Sequence, residues 1–330
     1  MLNIIAKSKI WYAISALLFV ASIGFLAAWR LNFGIDFTGG SLLAVEFSDA
    51  RRCYLDGVAE SERFTKIVAE GENACGEGSL LAQSAERPEP AKVLEALAVI
   101  DLGEIVLQTS QDRGMNLRFR EIDEAAHQEV LAVLSGAFHD VEERRFEAIG
   151  GVVGKELKSR SLWALGFVLL FILLYVAWSF RRVSRPVPSW QYGVAAIIAL
   201  FHDVVITLGA FAVLGHYNRS IEIGAPFIAA ILTVLAYSVS DTIVVFDRTR
   251  ENLLKMRNAA FIDVVGASVN QTMLRSIMTS CTILLSLIAI FFFGGDSTKY
   301  FALTLIIGIM VGTYSSIFIA SPLLVSFQKR

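Results

Sequence analysis

Histidine and cysteine are scarce in these 330 residues: His127, His139, His202 and His216, with Cys53, Cys75 and Cys281, and none falls at the paired spacings of a zinc site. No Cys-x-x-Cys and no Ser/His/Asp order is present, so nothing points to hydrolytic chemistry. The chain is expected to be no enzyme and to hold no metal or cofactor. Gly39 and Gly40 are adjacent, but no P-loop lysine with a following Ser or Thr opens a helix beside them, which argues against a phosphate cradle. A formal charge of -2 gives no ground for a nucleic-acid partner.

What the chain has is apolar length. Hydrophobic residues make up 55% of it, and six stretches, 10–29, 162–180, 192–214, 225–246, 277–293 and 300–327, are long enough for a bilayer core of ~30 Å. All five tryptophans, Trp11, Trp29, Trp163, Trp178 and Trp190, fall at or beside span ends, where amphipathic rings favour the headgroup layer. Lys7 and Lys9, Arg181, Arg182 and Arg185, Arg248, Arg250, Lys255 and Arg257, and Lys329 and Arg330 lie on one side of the spans. That bias makes both termini cytoplasmic and puts the long polar insert outside. The first apolar run exceeds the roughly 7 to 15 residues of a signal-peptide core and reads as an uncleaved anchor.

Three domains follow: 1–31, the N-terminus with the first span; 32–158, an outer α+β domain; and 159–330, five spans with a cytoplasmic loop at about 247–274. In the insert, 41–47, 104–109, 115–120 and 141–149 read as strands, and 88–99 and 121–138 as helices. The order is β-α-β-β-α-β, a ferredoxin-like arrangement that by itself names no function. Between about 48 and 90 the pattern dissolves into charged and small residues. Cys53 and Cys75 lie there, and on the outer side of a membrane they can form a disulfide; two unrelated free thiols are the alternative. Cys281, within the fifth span, reads as a small packing residue.

An acid inside one span and a cation at the start of the next carry the functional argument. Asp241 sits in the inner half of the fourth span, where a carboxylate costs about 2.5 to 3.5 kcal/mol and is by default a candidate functional group; the alternative is a solvated residue near the interface, since the hydrophilic run from Asp247 is close by. Arg275 stands at the start of the fifth. Asp203 is a weaker third candidate, on a third-span face with Ala196, Ala199, Thr207 and Ala210. Gly308, Gly312, Ser316 and Ala320 form a small-residue stripe on the sixth span, whose simplest role is packing. Outside the first span, Gly34-Ile-Asp-Phe-Thr-Gly-Gly40 reads as a tight turn into the outer domain, its glycines permitting positive φ.

GIDFTGGSL at 34–42, FHDVVIT at 201–207, YSVSDTIVVFDRTREN at 237–252, NQTMLRSIMTS at 270–280 and IGIMVGTYSSIFIASPLL at 307–324 together resemble the SecF family, a membrane subunit of bacterial protein export. The resemblance covers both ends and all six spans. It implies one half of a SecD and SecF pair, similar to the RND superfamily, that uses the proton gradient to help the SecYEG channel export unfolded polypeptide across the inner membrane. YajC and YidC are further partners it implies, and the outer domain becomes periplasmic. Asp241 and Arg275 match the family's residues tied to proton passage, and Phe37, Gly39 and Gly40 match its turn motif. Two departures stand out: the 48–90 insertion is long, and Ser240 occupies a position where the family has Asn. On this reading Asp241 is a switch whose protonation Arg275 reads, since burial disfavours a charged carboxylate and a nearby guanidinium favours it. The alternatives are an RND-like small-molecule exporter half, for which one small outer domain and six spans are too few, and a structural scaffold, which leaves the cost of Asp241 and Arg275 unexplained.

Overall fold

The computed structural model describes residues 4–47, 87–110, 113–138, 141–181, 186–256 and 258–328. In chain order the elements are α1 (Ser8–Trp29), α2 (Ile35–Thr38), β1 (Gly40–Phe47), α3 (Pro90–Leu97), β2 (Val106–Ser110), β3 (Gly114–Phe119), α4 (Glu124–Phe138), β4 (Val141–Ile149), α5 (Gly151–Ser179), α6 (Ser189–Tyr217), α7 (Ala225–Lys255), α8 (Phe261–Phe293), α9 (Asp296–Ser315), a π-turn (Ser316–Ala320) and α10 (Ser321–Gln328). They divide into a membrane unit, Met1–Thr38 with Val152–Arg330, and a sheet unit, Gly39–Gly151. The sheet unit is narrower than the expected 32–158, because residues 32–38 and 152–158 go with the helices.

Six helical spans among the described residues are long and apolar enough to cross a membrane: α1, α5, α6, α7, α8, and the run Thr298–Gln328 through α9, the π-turn and α10. Burial separates them into two classes. In the third, fourth and sixth spans, 50%, 44% and 56% of the most apolar window is buried, against 11%, 6% and 17% in the first, second and fifth. The core therefore lies among α6, α7 and the sixth span, and the other three helices turn long side chains such as Leu17, Phe171 and Leu285 outward. Small residues allow the close approach, as at Gly308, where an added Cβ would run into Val234 of α7.

The connection expected at about 247–274 is largely helical. Polar residues such as Asp247, Arg248, Arg250 and Glu251 mark the end of the apolar span without ending the helix, and α7 continues to Lys255 while α8 begins at Phe261. The extensions hold each other: Asn252 Nδ2 donates to Ser268 Oγ at 2.8 Å and to Gln271 Oε1 at 3.0 Å, and Arg248 Nε to Gln271 Oε1 at 2.6 Å.

In the sheet unit the strand order is β2-β3-β1-β4, and every neighbouring pair is antiparallel. The element order expected from the sequence is the order found, with helix and strand ends shifted by a few residues. Alternation in β1 turns Leu43, Val45 and Phe47 onto one face, where they pack with Val93 and Leu97 of α3 and Val130 and Leu134 of α4. Gly40 pairs with Ile149, so the unit's first and last strands begin and end side by side. Cys53 and Cys75, with residues 48–86, lie outside the described residues, and so does the bond expected between them.

Candidate functional site

Asp203 lies on the buried face of α6 with Ala196, Ala199 and Thr207, and it is completely enclosed. Its Oδ2 accepts hydrogen bonds from Ser238 Oγ of α7 at 2.7 Å and from Ser315 Oγ of α9 at 2.8 Å. Its Oδ1 is 3.2 Å from Nδ1 of the neighbouring His202. Such satisfaction is what burial of a polar group demands. Gly312 makes the room: a Cβ there would lie 2.9 Å from Ser238 Cβ and 3.6 Å from Asp203 Oδ2.

Asp241 is one turn beyond Ser238 on α7 and only half-buried. Ser276 Oγ of α8 donates to its Oδ1 at 2.5 Å, and Ser316 Oγ donates to its Oδ2 at 2.9 Å. Consecutive serines of the sixth span thus serve different carboxylates, Ser315 for Asp203 and Ser316 for Asp241. The helix is widened there into the π-turn Ser316–Ala320, just before Pro322, which has no N–H to continue a regular ladder. Ser321 Oγ donates to the Ser316 carbonyl at 2.9 Å across the widened turn. Ser316 Oγ has a second acceptor within reach, Thr313 O at 3.0 Å.

A second set of hydroxyls lies one turn away along each helix, Tyr237 before Asp241 on α7, Ser280 after Ser276 on α8 and Thr313 before Ser316. Tyr237 OH and Ser280 Oγ are 2.9 Å apart, and Ser280 Oγ and Thr313 Oγ1 are 2.6 Å apart. The line joins α7, α8 and α9 beside the carboxylate. None of these hydroxyls, nor Ser238, Ser276 or Ser315, was identifiable from sequence, because a membrane-helix serine ordinarily bonds its own i-4 carbonyl and leaves no pattern.

Arg275 is adjacent to Ser276, yet a step of about 100° round the helix turns it to the exposed side. Among the described residues no ion pair joins it to Asp241, whose partners are hydroxyls. With Thr279, Thr282 and Ser286 it makes an exposed polar stripe down α8, at a spacing that keeps all four on one face. Thr279 and Thr282 are satisfied within the helix, donating to Arg275 O at 2.8 Å and Met278 O at 2.9 Å. Cys281 is exposed too, so the small packing residue expected there is not packed inside the bundle. Phe37 is buried among α6 and α7 side chains. Gly39 and Gly40 have φ of 76° and 122°, and a Cβ on Gly39 would lie 2.6 Å from Gly151 Cα. No three His, Cys, Asp or Glu side chains converge as a metal site would among the described residues.

Residues 129–330 match the family model described as protein export membrane protein SecD/SecF, C-terminal, and residues 27–50 match that of the SecD/SecF GG motif. A protein translocase subunit SecF from Thermobaculum terrenum is 37% identical over 100% of this chain and 95% of its own length. Its namesake from Haemophilus influenzae is 36% identical over 94% of this chain and 82% of its own. The crystal structure of SecDF from Thermus thermophilus, described as a translocon-associated membrane protein, superposes with a TM-score of 0.74 at 30% identity. It is matched by 100% of this chain, which spans 39% of that longer one.

Proposed function

The chain belongs to the SecD/SecF protein-export family, and from that membership we propose that it is the SecF-type half of a two-subunit device that uses the proton-motive force in late steps of protein export. It is a multi-pass membrane protein. In the proposal it lies in the bacterial inner membrane with both termini cytoplasmic and the sheet unit periplasmic, where it acts on unfolded polypeptide leaving the SecYEG channel. A SecD-type subunit is its companion, with YajC and YidC as further neighbours, and it acts as a transport subunit rather than an enzyme.

The observation that carries this reading is Asp241, a half-open carboxylate held by Ser276 and Ser316 from two other spans. An ionised carboxylate only accepts hydrogen bonds, and a protonated one also donates. When Asp241 takes a proton, Ser316 turns its single hydroxyl hydrogen to Thr313 O, already 3.0 Å away, and accepts from the carboxylic acid instead, so its bond to α7 reverses direction. The line through Tyr237, Ser280 and Thr313 is a route for the proton beside the carboxylate. Arg275 and the polar stripe of α8 suit a companion subunit better than lipid, and across that interface Arg275 reads the charge of Asp241. One charge crossing 100 mV is worth about 2.3 kcal/mol, enough to exchange hydrogen bonds of this kind.

The test is proton flux and export in vesicles that carry the chain with its companion and channel under an imposed gradient. Asp241→Asn and Arg275→Met are expected to assemble normally and lose the gradient-dependent part of export. Parental gradient-dependent export by Asp241→Asn would make Asp241 a structural polar residue.

A further inference from the structure

The segment before Gly39 is fastened to the start of α7. Ile223 N–H donates to Asn32 O at 2.8 Å and Gly34 N–H to Ile223 O at 2.9 Å, a single parallel bridge. Next, Asp36 Oδ2 accepts the backbone N–H of Ala225, the first residue of α7, at 2.7 Å. Helix N-termini have unpaired N–H groups and a positive dipole end, which a carboxylate satisfies. The N-cap residue itself, Gly224, has no side chain to give, and a Cβ on it would lie 2.5 Å from the same Asp36 oxygen. The cap therefore comes from 189 residues upstream. Thr38 Oγ1 closes the small turn by donating to Gly34 O at 3.1 Å, and the chain then passes into the sheet unit at Gly39.

A local Ser or Asp at 224 would have capped the helix equally well. A remote carboxylate adds something a local cap lacks, a bond between the first turn of α7 and the chain leading to the sheet unit. Because α7 is one continuous helix with Asp241 further along it, an axial shift of its first turn is carried to that carboxylate. Hydrogen bonds weaken beyond roughly 3.2 Å, so a displacement of under about 1 Å alters the bonds of Asp241 to Ser276 and Ser316.

We propose that Asp36 is a positioning residue for the Asp241 site, a clip through which tension on the chain at Gly39 shifts α7 and changes how Asp241 is held. The inference rests on the proton-coupled reading above and deepens it.

The experiment measures proton flux through the full chain with its companion and channel, with and without a polypeptide in transit. Three variants are compared: Asp36→Ala, Asp36→Asn, and Asp36→Ala combined with Gly224→Ser, which supplies an ordinary local cap. Asp36→Ala is expected to keep Asp241-dependent flux while the response of that flux to polypeptide falls about tenfold, the scale of a typical coupling between sites. Asp36→Asn, which retains an acceptor oxygen, restores most of the response. The double variant restores thermal stability and leaves the response lost. A parental response in Asp36→Ala overturns the proposal, and so does rescue of the response by Gly224→Ser, which would make Asp36 a cap and nothing more. Asp241→Asn, measured in parallel, separates the two readings, since full gradient-dependent export in that variant defeats the proton site whatever Asp36 does.

Discussion

In the bundle, Asp203 and Asp241 each accept two serine hydroxyls from neighbouring helices, whereas in the sheet unit Glu46 and Glu142 meet Arg144, and Glu147 meets Arg145, on exposed strand positions. The exposed pairs are surrounded by water that can replace either partner, so their net contribution is small and salt-dependent. Inside the bundle no such replacement is at hand, and losing a partner costs the full desolvation of what remains. Serine has a further consequence as a partner. It satisfies a carboxylate's lone pairs without cancelling its charge, which is what the proton switch proposed for Asp241 requires. An arginine in the same place would have locked the charge in.

The contrast can be broken by substitution, and the largest effect is expected at Asp203. Asp203→Ala removes the acceptor of Ser238, the partner of His202 and one of the two acceptors in reach of Ser315, and at about 1 to 3 kcal/mol for each buried group left unpaired it should cost the bundle a large part of its stability. Thermal unfolding in detergent checks this, and a loss no greater than that of Asp241→Ala would erase the distinction between the enclosed and half-open sites. Gly312→Val should come next, at about 1 to 3 kcal/mol, because its side chain has to displace Ser238 from Asp203.

How much of this was legible in the sequence depends on the kind of signal. The spans, the order of strands and helices along the chain and the intramembrane acid were readable, because apolar length, alternation and an out-of-place charge are local patterns. The helical extensions at 247–274 were not, since loss of apolarity marks the membrane boundary but leaves helix propensity untouched. The carboxylate bonds of Ser315 and Ser316 were hidden for another reason: Ser316 read only as a member of a small-residue stripe, and which way a serine turns is decided by the facing helix, here through a π-turn that shifts the register of the side chains. Asp36 was hidden in plain view. Its neighbours Gly39 and Gly40 explain the turn, and its own partner, Ala225, is far away in sequence.

Smaller effects sharpen the comparison within the bundle. Ser315→Ala should destabilise by roughly 0.6 to 1.7 kcal/mol, the range of interhelical hydrogen bonds in membranes. Ser316→Ala should do less, because Asp241 is only half-buried and less fully desolvated than Asp203, yet it should change the pH profile of proton flux while Ser315→Ala leaves that profile alone. Equal effects of the two on both readouts would mean that adjacent serines do not divide the carboxylates between them.

The sheet unit supplies the smallest effects. Arg144→Ala should leave the melting temperature unresolved from the parental value, and a clear drop would show that its exposed pairs matter more than their setting allows. Glu124 is held below the ordinary glutamate range by Gln128, which donates to its Oε1 at 2.6 Å, and by His127. With its folded value depressed, its contribution is complete above the ordinary glutamate range and fades as the pH falls through the lower folded one. Glu124→Gln should flatten that part of the unfolding profile slightly, and an unchanged slope would remove Glu124 from the account.

The pairing of Gly40 with Ile149 has an evolutionary side. A unit whose two chain ends emerge next to each other can be inserted between two consecutive elements of a host without asking those elements to move apart. The sheet unit resembles in this respect a graft, attached to the helical unit at two neighbouring points of the chain. Joining Thr38 to Val152 through a few glycines should accordingly yield a chain that still inserts as six spans, and failure to insert would show that graft and helical unit had become inseparable.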